Sequence, residues 1–160
     1  MSELTLETIV EIMRSERFVM MTSVSRDDGR LHSHPMTPQL VTDDAEVWFF
    51  IGLDGGQADD IDKNPEINLS FAEVGSWLSV SGHVQFENSN RAMIDRLWTD
   101  STAAWFEGGK EDPQLGLMRF VGESAQLWGN PSGRIASVAE IARTKLTDGA
   151  AEGPAGAIEL

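Results

Sequence analysis

The chain has 160 residues, 41% of them hydrophobic, with a formal net charge of −14 and a pI near 4.4. That length supports one domain, with or without a tail, and enough apolar side chains to bury a sizeable core. Cysteine is absent, which excludes disulfide scaffolds, thiolate metal sites and cysteine nucleophiles. Its acidic balance, with the twelve basic residues scattered, argues against nucleic acid and membrane surfaces as partners.

Leu6, Ile9, Val10 and Met13 recur at helical spacing, predicting an amphipathic helix over 4–16. Phe18 to Ser25 reads as a strand, and Arg26 to Arg30 as an Asp-Gly hairpin turn. The returning strand, Leu31 to Leu40, carries His32, His34, Pro35 and Pro38. Proline cannot donate to a sheet ladder, so this strand is confined to an edge, a bulge or a barrel rim, leaving the ladder near Pro35. After a turn at 42–45, Glu46 to Ile51 is apolar at five consecutive positions. Neither face suits water, which points to a subunit interface or a ligand on the second face.

Gly52 to Gln57 reads as a flexible loop, 58–63 as a short helix stopped by Asn64-Pro65, and 67–73 as a strand. In Trp77 to Glu87, Leu78, Val80, Val84 and Phe86 alternate with polar residues, and Gly82 marks a bend or a close approach. A helix follows from Asn88 with Met93, Ile94 and Leu97 on one face, then a helical turn at 102–106 and a polar loop at 107–113. Leu115–Val121 and Ser124–Gly129 read as two strands, and 135–146 as a last amphipathic helix. Residues 1–147 are expected to form the domain and 148–160 a mobile tail. The first residues lack a signal-peptide pattern and no run is long enough to span a membrane, so a cytoplasmic protein is expected.

Four stretches taken in order resemble one family: His32-Ser33-His34-Pro35-Met36, Val47-Trp48-Phe49-Phe50, Leu97-Trp98 with the segment Ala104 to Pro113, and Ala125-Gln126-Leu127-Trp128. The chain resembles the general stress protein branch of the pyridoxamine 5′-phosphate oxidase-like, FMN-binding split barrels. The resemblance implies an α+β fold: a six-stranded antiparallel split β-barrel with peripheral helices, forming a homodimer with FMN, or another flavin, between the subunits. By position it implies a cofactor site of His34, Pro35, Met36, Phe49, Phe50, Ile51, Gly55, Gly56, Gln57 and Trp105, with Trp105 contributed by the partner chain. It names no catalytic residue and no metal ligand. Trp105 and Phe106 can equally be read as interface core, and His34 as a structural histidine. Trp77, Trp98 and Trp128 are read as core.

This sequence departs from the family where phosphate is usually held. His34 stands in place of an arginine, Ile51 of a threonine, and Gly55, Gly56 and Gln57 of a Ser-x-Lys segment. Each lost charge-assisted bond costs about 1.5–3 kcal/mol, while glycine N–H groups before a helix can offset part of that. Two functions therefore remain open: a flavin-binding protein, with FMN-dependent oxidoreductase activity as its enzymatic form, or a cofactor-free dimer used as a binding or interaction module. The scattered basic residues supply no substrate-phosphate cluster, which argues against pyridoxamine 5′-phosphate oxidase itself.

Overall fold

A computed structural model describes residues 4–73, 75–129 and 156–160 of the chain. The predicted helix at 135–146 lies outside the described residues. In chain order the elements are α1 (Leu6–Ser15), β1 (Val19–Val24), β2 (Leu31–Met36), β3 (Leu40–Val41), β4 (Glu46–Gly52), α2 (Gly56–Lys63), β5 (Glu66–Glu73), β6 (Ser76–Phe86), α3 (Arg91–Leu97), α4 (Asp100–Ala103), β7 (Leu115–Gly129) and β8 (Gly156–Glu159).

All strands join one antiparallel sheet, ordered β2-β1-β5-β6-β7-β4-β3, with β8 added on β7. Six strands run six residues or longer and form the split barrel; β3 and β8 are short additions of two and four residues. The strand expected over 31–40 ends at Met36. Thr37, Pro38 and Gln39 leave the ladder, and Leu40–Val41 pair instead with β4. This link joins strands at opposite ends of the sheet path, so the sheet must curl until its two edges are neighbours. Pro35 stays in register opposite Met20, tolerated because β2 is an edge strand.

The inner faces supply Met21, Leu69, Phe71, Leu78, Val80, Phe120 and Phe49, all fully buried. One helix, α1, adds Ile9, Val10, Ile12 and Met13 to that core. Thr5 caps it by accepting from the Thr8 N–H at 3.2 Å. Burying those four side chains is worth about 1.5–3 kcal/mol each, against ~1 kcal/mol for a cap, so packing holds the helix. The Arg14 guanidinium then ties it to β3, donating to the Val41 carbonyl at 2.9 and 3.2 Å and pairing with Asp43.

β4 is buried on both faces, but its outer face is covered by this chain's own α3 and the segment after α4. Trp48, 5% exposed, packs in a second cluster with Ile94, Leu97, Phe106, Leu115 and Leu117. The interface or ligand expected there is therefore largely replaced by an intrachain cluster, and only half-buried Phe50 is left at its margin.

The two strands expected over 115–129 are one strand whose neighbour changes midway: β4 pairs with Leu115–Val121 and β8 with Ser124–Leu127. At the changeover β6 and β7 slip register, Ser81 opposing Ser124 and Gly82 opposing Gly122, so Glu123 is the extra, bulged residue. Its carbonyl accepts from the Leu160 N–H at 2.7 Å, and its carboxylate reaches His83 Nδ1 at 2.6 Å. Residues 156–159, assigned from sequence to a mobile tail, are thus a strand on β7. Trp77 also departs from its expected core place: it is 56% exposed on the outer face, opposite half-buried Trp128.

Gly82 explains the bulge. A Cβ there would lie 2.0 Å from the Val121 carbonyl oxygen and 2.9 Å from the Phe120 ring. We expect Gly82→Ala to destabilise by about 3 kcal/mol, the upper end for overpacking. For a chain of this size that lowers the melting temperature by roughly 6–12 °C, measurable by thermal denaturation followed by circular dichroism.

Candidate functional site

A cleft of about 840 Å³ opens where the two edges of the sheet approach each other. One wall is the end of β2 and the link after it, Pro35 to Gln39. A second is Phe50, Ile51 and Gly52 at the end of β4, with Gln57 from the first turn of α2. Thr99, Ser101 and Thr102 with Ala104, Trp105 and Phe106 close another side, and Arg17 and Phe18 stand ahead of β1. The volume falls within the roughly 300–1,000 Å³ typical of cofactor and small-molecule sites.

The sequence-derived residues divide into two groups. Pro35, Met36, Phe50, Ile51, Gln57 and Trp105 come together in this cleft. His34, Phe49, Gly55 and Gly56 are not among its lining residues. Phe49 is fully buried in the barrel core, because alternation along β4 sends 47, 49 and 51 inward and 48 and 50 outward. His34, half-buried, shares the inward side of β2 with Met36, opposite Met21. Gly55 is the N-cap of α2 and Gly56 its first residue, so the helix starts two residues earlier than its apolar pattern suggested. Gln57 is therefore fixed on a helical turn, its amide nitrogen 3.8 Å from Met21 Sδ and 3.9 Å from Met36 Sδ.

Trp105 lines the cleft of its own chain and is 85% exposed. Phe50 lines the same cleft from the strand and meets Trp98 edge-on, with ring centroids 6.1 Å apart and planes at 78°. Arg17, Phe18 and the hydroxyl residues Thr99, Ser101 and Thr102 were missed by sequence reasoning. Arg17 and Phe18 precede β1 and look like an ordinary connector in the sequence. Among the described residues that line the cleft, only Arg17 is charged. Among the described lining residues there is no carboxylate, imidazole or amine; the other polar groups are hydroxyls and amides.

The segment carrying Trp105 and Phe106 is anchored downstream by Asp112. Its carboxylate accepts from the Gly108 N–H at 3.0 Å and the Gln114 N–H at 2.9 Å, closing an Asx turn. The backbone hydrogen bonds from Gln114 and Gly108 hold the Asp112 carboxyl below its ordinary value. With a depressed folded-state pKa, its contribution to stability is present above the unfolded value near 3.9 and fades as pH falls through the lower folded value. Asp112→Asn should therefore be less stable than the native chain at pH 7, with the difference shrinking below about pH 4. Urea denaturation of both proteins across that range measures it; a difference independent of pH would contradict the assignment.

Comparisons with known proteins agree with this architecture. A family model described as "Pyridoxamine 5'-phosphate oxidase like" matches residues 5–152. Protein bli-3 of Neurospora crassa is 27% identical over 146 residues, spanning 84% of this chain and 69% of that protein. The crystal structure of a general stress FMN/FAD binding protein from Xanthomonas citri aligns with a TM-score of 0.67 at 33% identity, covering 83% of this chain and 94% of that one. An FMN binding protein related to pyridoxamine 5′-phosphate oxidase, from Nostoc punctiforme, shares the fold with a TM-score of 0.63 at 15% identity, over 76% of this chain and 81% of that one. With the family model covering nearly the whole sequence, and the same barrel found in these structures, the chain belongs to the pyridoxamine 5′-phosphate oxidase-like family.

Proposed function

We propose that this protein binds a flavin, FMN in the first instance, in the cleft at the barrel seam, and serves as a flavin-dependent oxidoreductase. The observation that carries this reading is the cleft's composition: aromatic and apolar walls at Phe50, Met36, Ile51 and Trp105, with no proton-exchanging side chain among the described residues. Such a site suits a cofactor that brings its own reactivity. When bound, a flavin supplies hydride or electron transfer at its ring system. Phe50 and Trp105 would flank that ring, Gln39 and Gln57 would offer amide hydrogen bonds to its polar edge, and the β2–β3 link would exclude water. The flavin-binding relative from Xanthomonas citri supports the choice of cofactor.

Titration of the purified chain with FMN, followed by quenching of flavin fluorescence and by the melting temperature, tests this. A ligand binding only the native state at a hundredfold above its Kd stabilises by about 2.7 kcal/mol. Trp105→Ala should weaken binding roughly tenfold, on the scale of about 1–1.5 kcal/mol for one aromatic contact. Because Trp105 is so exposed, the same change should alter the stability of the unliganded protein by no more than ~0.5 kcal/mol. A colourless protein that neither quenches FMN nor gains stability from it would instead favour the cofactor-free interaction module.

Homodimerisation belongs to the same proposal. Across the outer face of the sheet, Thr22, Ser33, Asn68, Ser70, Ser79 and Ser81 form an uncharged band. Its groups satisfy one another: Thr22 and Ser33 hydroxyls lie 2.7 Å apart, and the Asn68 amide donates to Ser79 at 2.8 Å and Ser81 at 3.1 Å. Exposed Met20, Leu31 and Trp77 lie around it. In a chain of net charge −14, a charge-free face fits the charge-depleted core of an interface between copies. Ser70→Glu would place like charges within such an interface, and light scattering after gel filtration should show the dimer converted to monomer. A Ser70→Glu protein that stays dimeric would place the interface elsewhere.

A further inference from the structure

We propose that Arg17 is the anion-holding residue of the cleft, receiving the phosphate of a flavin mononucleotide from a position that the family's phosphate-binding pattern does not use. This rests on the flavin reading above and adds to it the residue that selects a phosphorylated flavin. The usual positions have lost their phosphate-holding groups: His34 and Gly55 are outside the cleft lining, Ile51 is apolar, and Gln57 is neutral and lies against two methionine sulfurs. Among the described residues the cleft nonetheless keeps one permanent positive charge, and it is Arg17.

Its lack of a carboxylate partner is the second, independent observation. Acidic residues outnumber basic ones 26 to 12 in this chain, so a guanidinium readily finds a carboxylate. Among the described residues Arg14, Arg26, Arg30, Arg91, Lys110 and Arg119 do, whereas Arg17, Lys63 and Arg96 do not, and of those three only Arg17 lines the cleft. Among the described residues Arg17 pairs with none; its guanidinium carbon instead sits 5.2 Å from the centre of the Phe18 ring. That contact steers the fork without neutralising it, leaving all its donors available for an oxyanion. A planar guanidinium binds phosphate through two parallel hydrogen bonds and stays charged at every physiological pH. It thus supplies what an imidazole at position 34 does only when protonated.

Riboflavin, which has the same ring and no phosphate, isolates the claim. FMN and riboflavin would each be titrated into the native protein, Arg17→Gln, Arg17→Lys and His34→Ala, with fluorescence quenching as the readout. Circular dichroism checks that each variant is folded. Loss of one charge-assisted contact predicts an FMN affinity about ten- to a hundredfold lower in Arg17→Gln, with riboflavin affinity unchanged within about twofold and Arg17→Lys intermediate. The FMN affinity of the native protein should also fall with added salt, and that of Arg17→Gln much less. Equal losses for both ligands, no loss for either, or a preference for FMN that disappears in His34→Ala instead, would each overturn the assignment of Arg17. If the native protein binds neither ligand, the flavin reading itself fails and this inference with it.

Discussion

The molecule depends on the shortness of one connection. β2 and β3 stand at opposite ends of the strand path, yet only Thr37, Pro38 and Gln39 separate them. Four Cα steps reach at most roughly 14 Å, so a sheet many strands wide is obliged to roll until its edges almost meet. The barrel is a consequence of that tether as much as of strand twist. The tether also prevents full closure. Pro35 and Pro38 bring no N–H to the junction, and Gln39 turns its N–H to the Trp48 carbonyl at 2.8 Å. What remains is a seam lined by chain that is not zipped to chain, and the cleft occupies it.

One wall of that seam is held from both sides. β4 sends Val47, Phe49 and Ile51 into the barrel core and Trp48 into the cluster under α3. A strand fixed by two cores has little freedom, so Phe50, at the margin of the second cluster and braced by Trp98, is a rigid surface. The opposite side is different in kind. Trp105 follows a four-residue helix and is largely exposed, with its segment tied through the Asp112 turn rather than by packing. A flat ligand would thus meet one fixed aromatic and one adaptable one, an arrangement in which the second can close over what the first has positioned.

Local patterns made much of this readable in the sequence. The alternation of Leu78, Val80, Val84 and Phe86, the Asp-Gly hairpin and the helical spacing of Ile9 and Met13 each encode an element through nearest neighbours, and each is found. Apart from the start of α2, the misses are non-local. Whether Leu40 continues the strand of His34 or joins Trp48 depends on which edge is nearby, which no local period records. The doubly apolar β4 told that its outer face is covered, not that α3 does the covering. β7 reads as two strands because the bulge at Glu123 interrupts its period, although β6 pairs on both sides of the interruption. Arg17 resembles any other scattered cation until the fold brings Pro38 and Trp105 to the same cleft.

Those same placements bear on electrostatics. A protein of net charge −14 is a poor place for a phosphate unless its acids stay away from the binding surface. At physiological salt, exposed charges beyond about 8 Å are largely screened, so the local inventory matters more than the total. Among the described lining residues that inventory is one arginine and no carboxylate. Several acids are engaged with other cations around the barrel: Asp43 with Arg14, Asp59 with Arg26, and Glu46 and Glu87 with Arg119. The unpaired Lys63 and Arg96 lie outside the cleft lining, so Arg17 is its local positive charge among the described residues, and the acidic exterior then favours a ligand held tightly within the seam over anions attracted loosely to the surface.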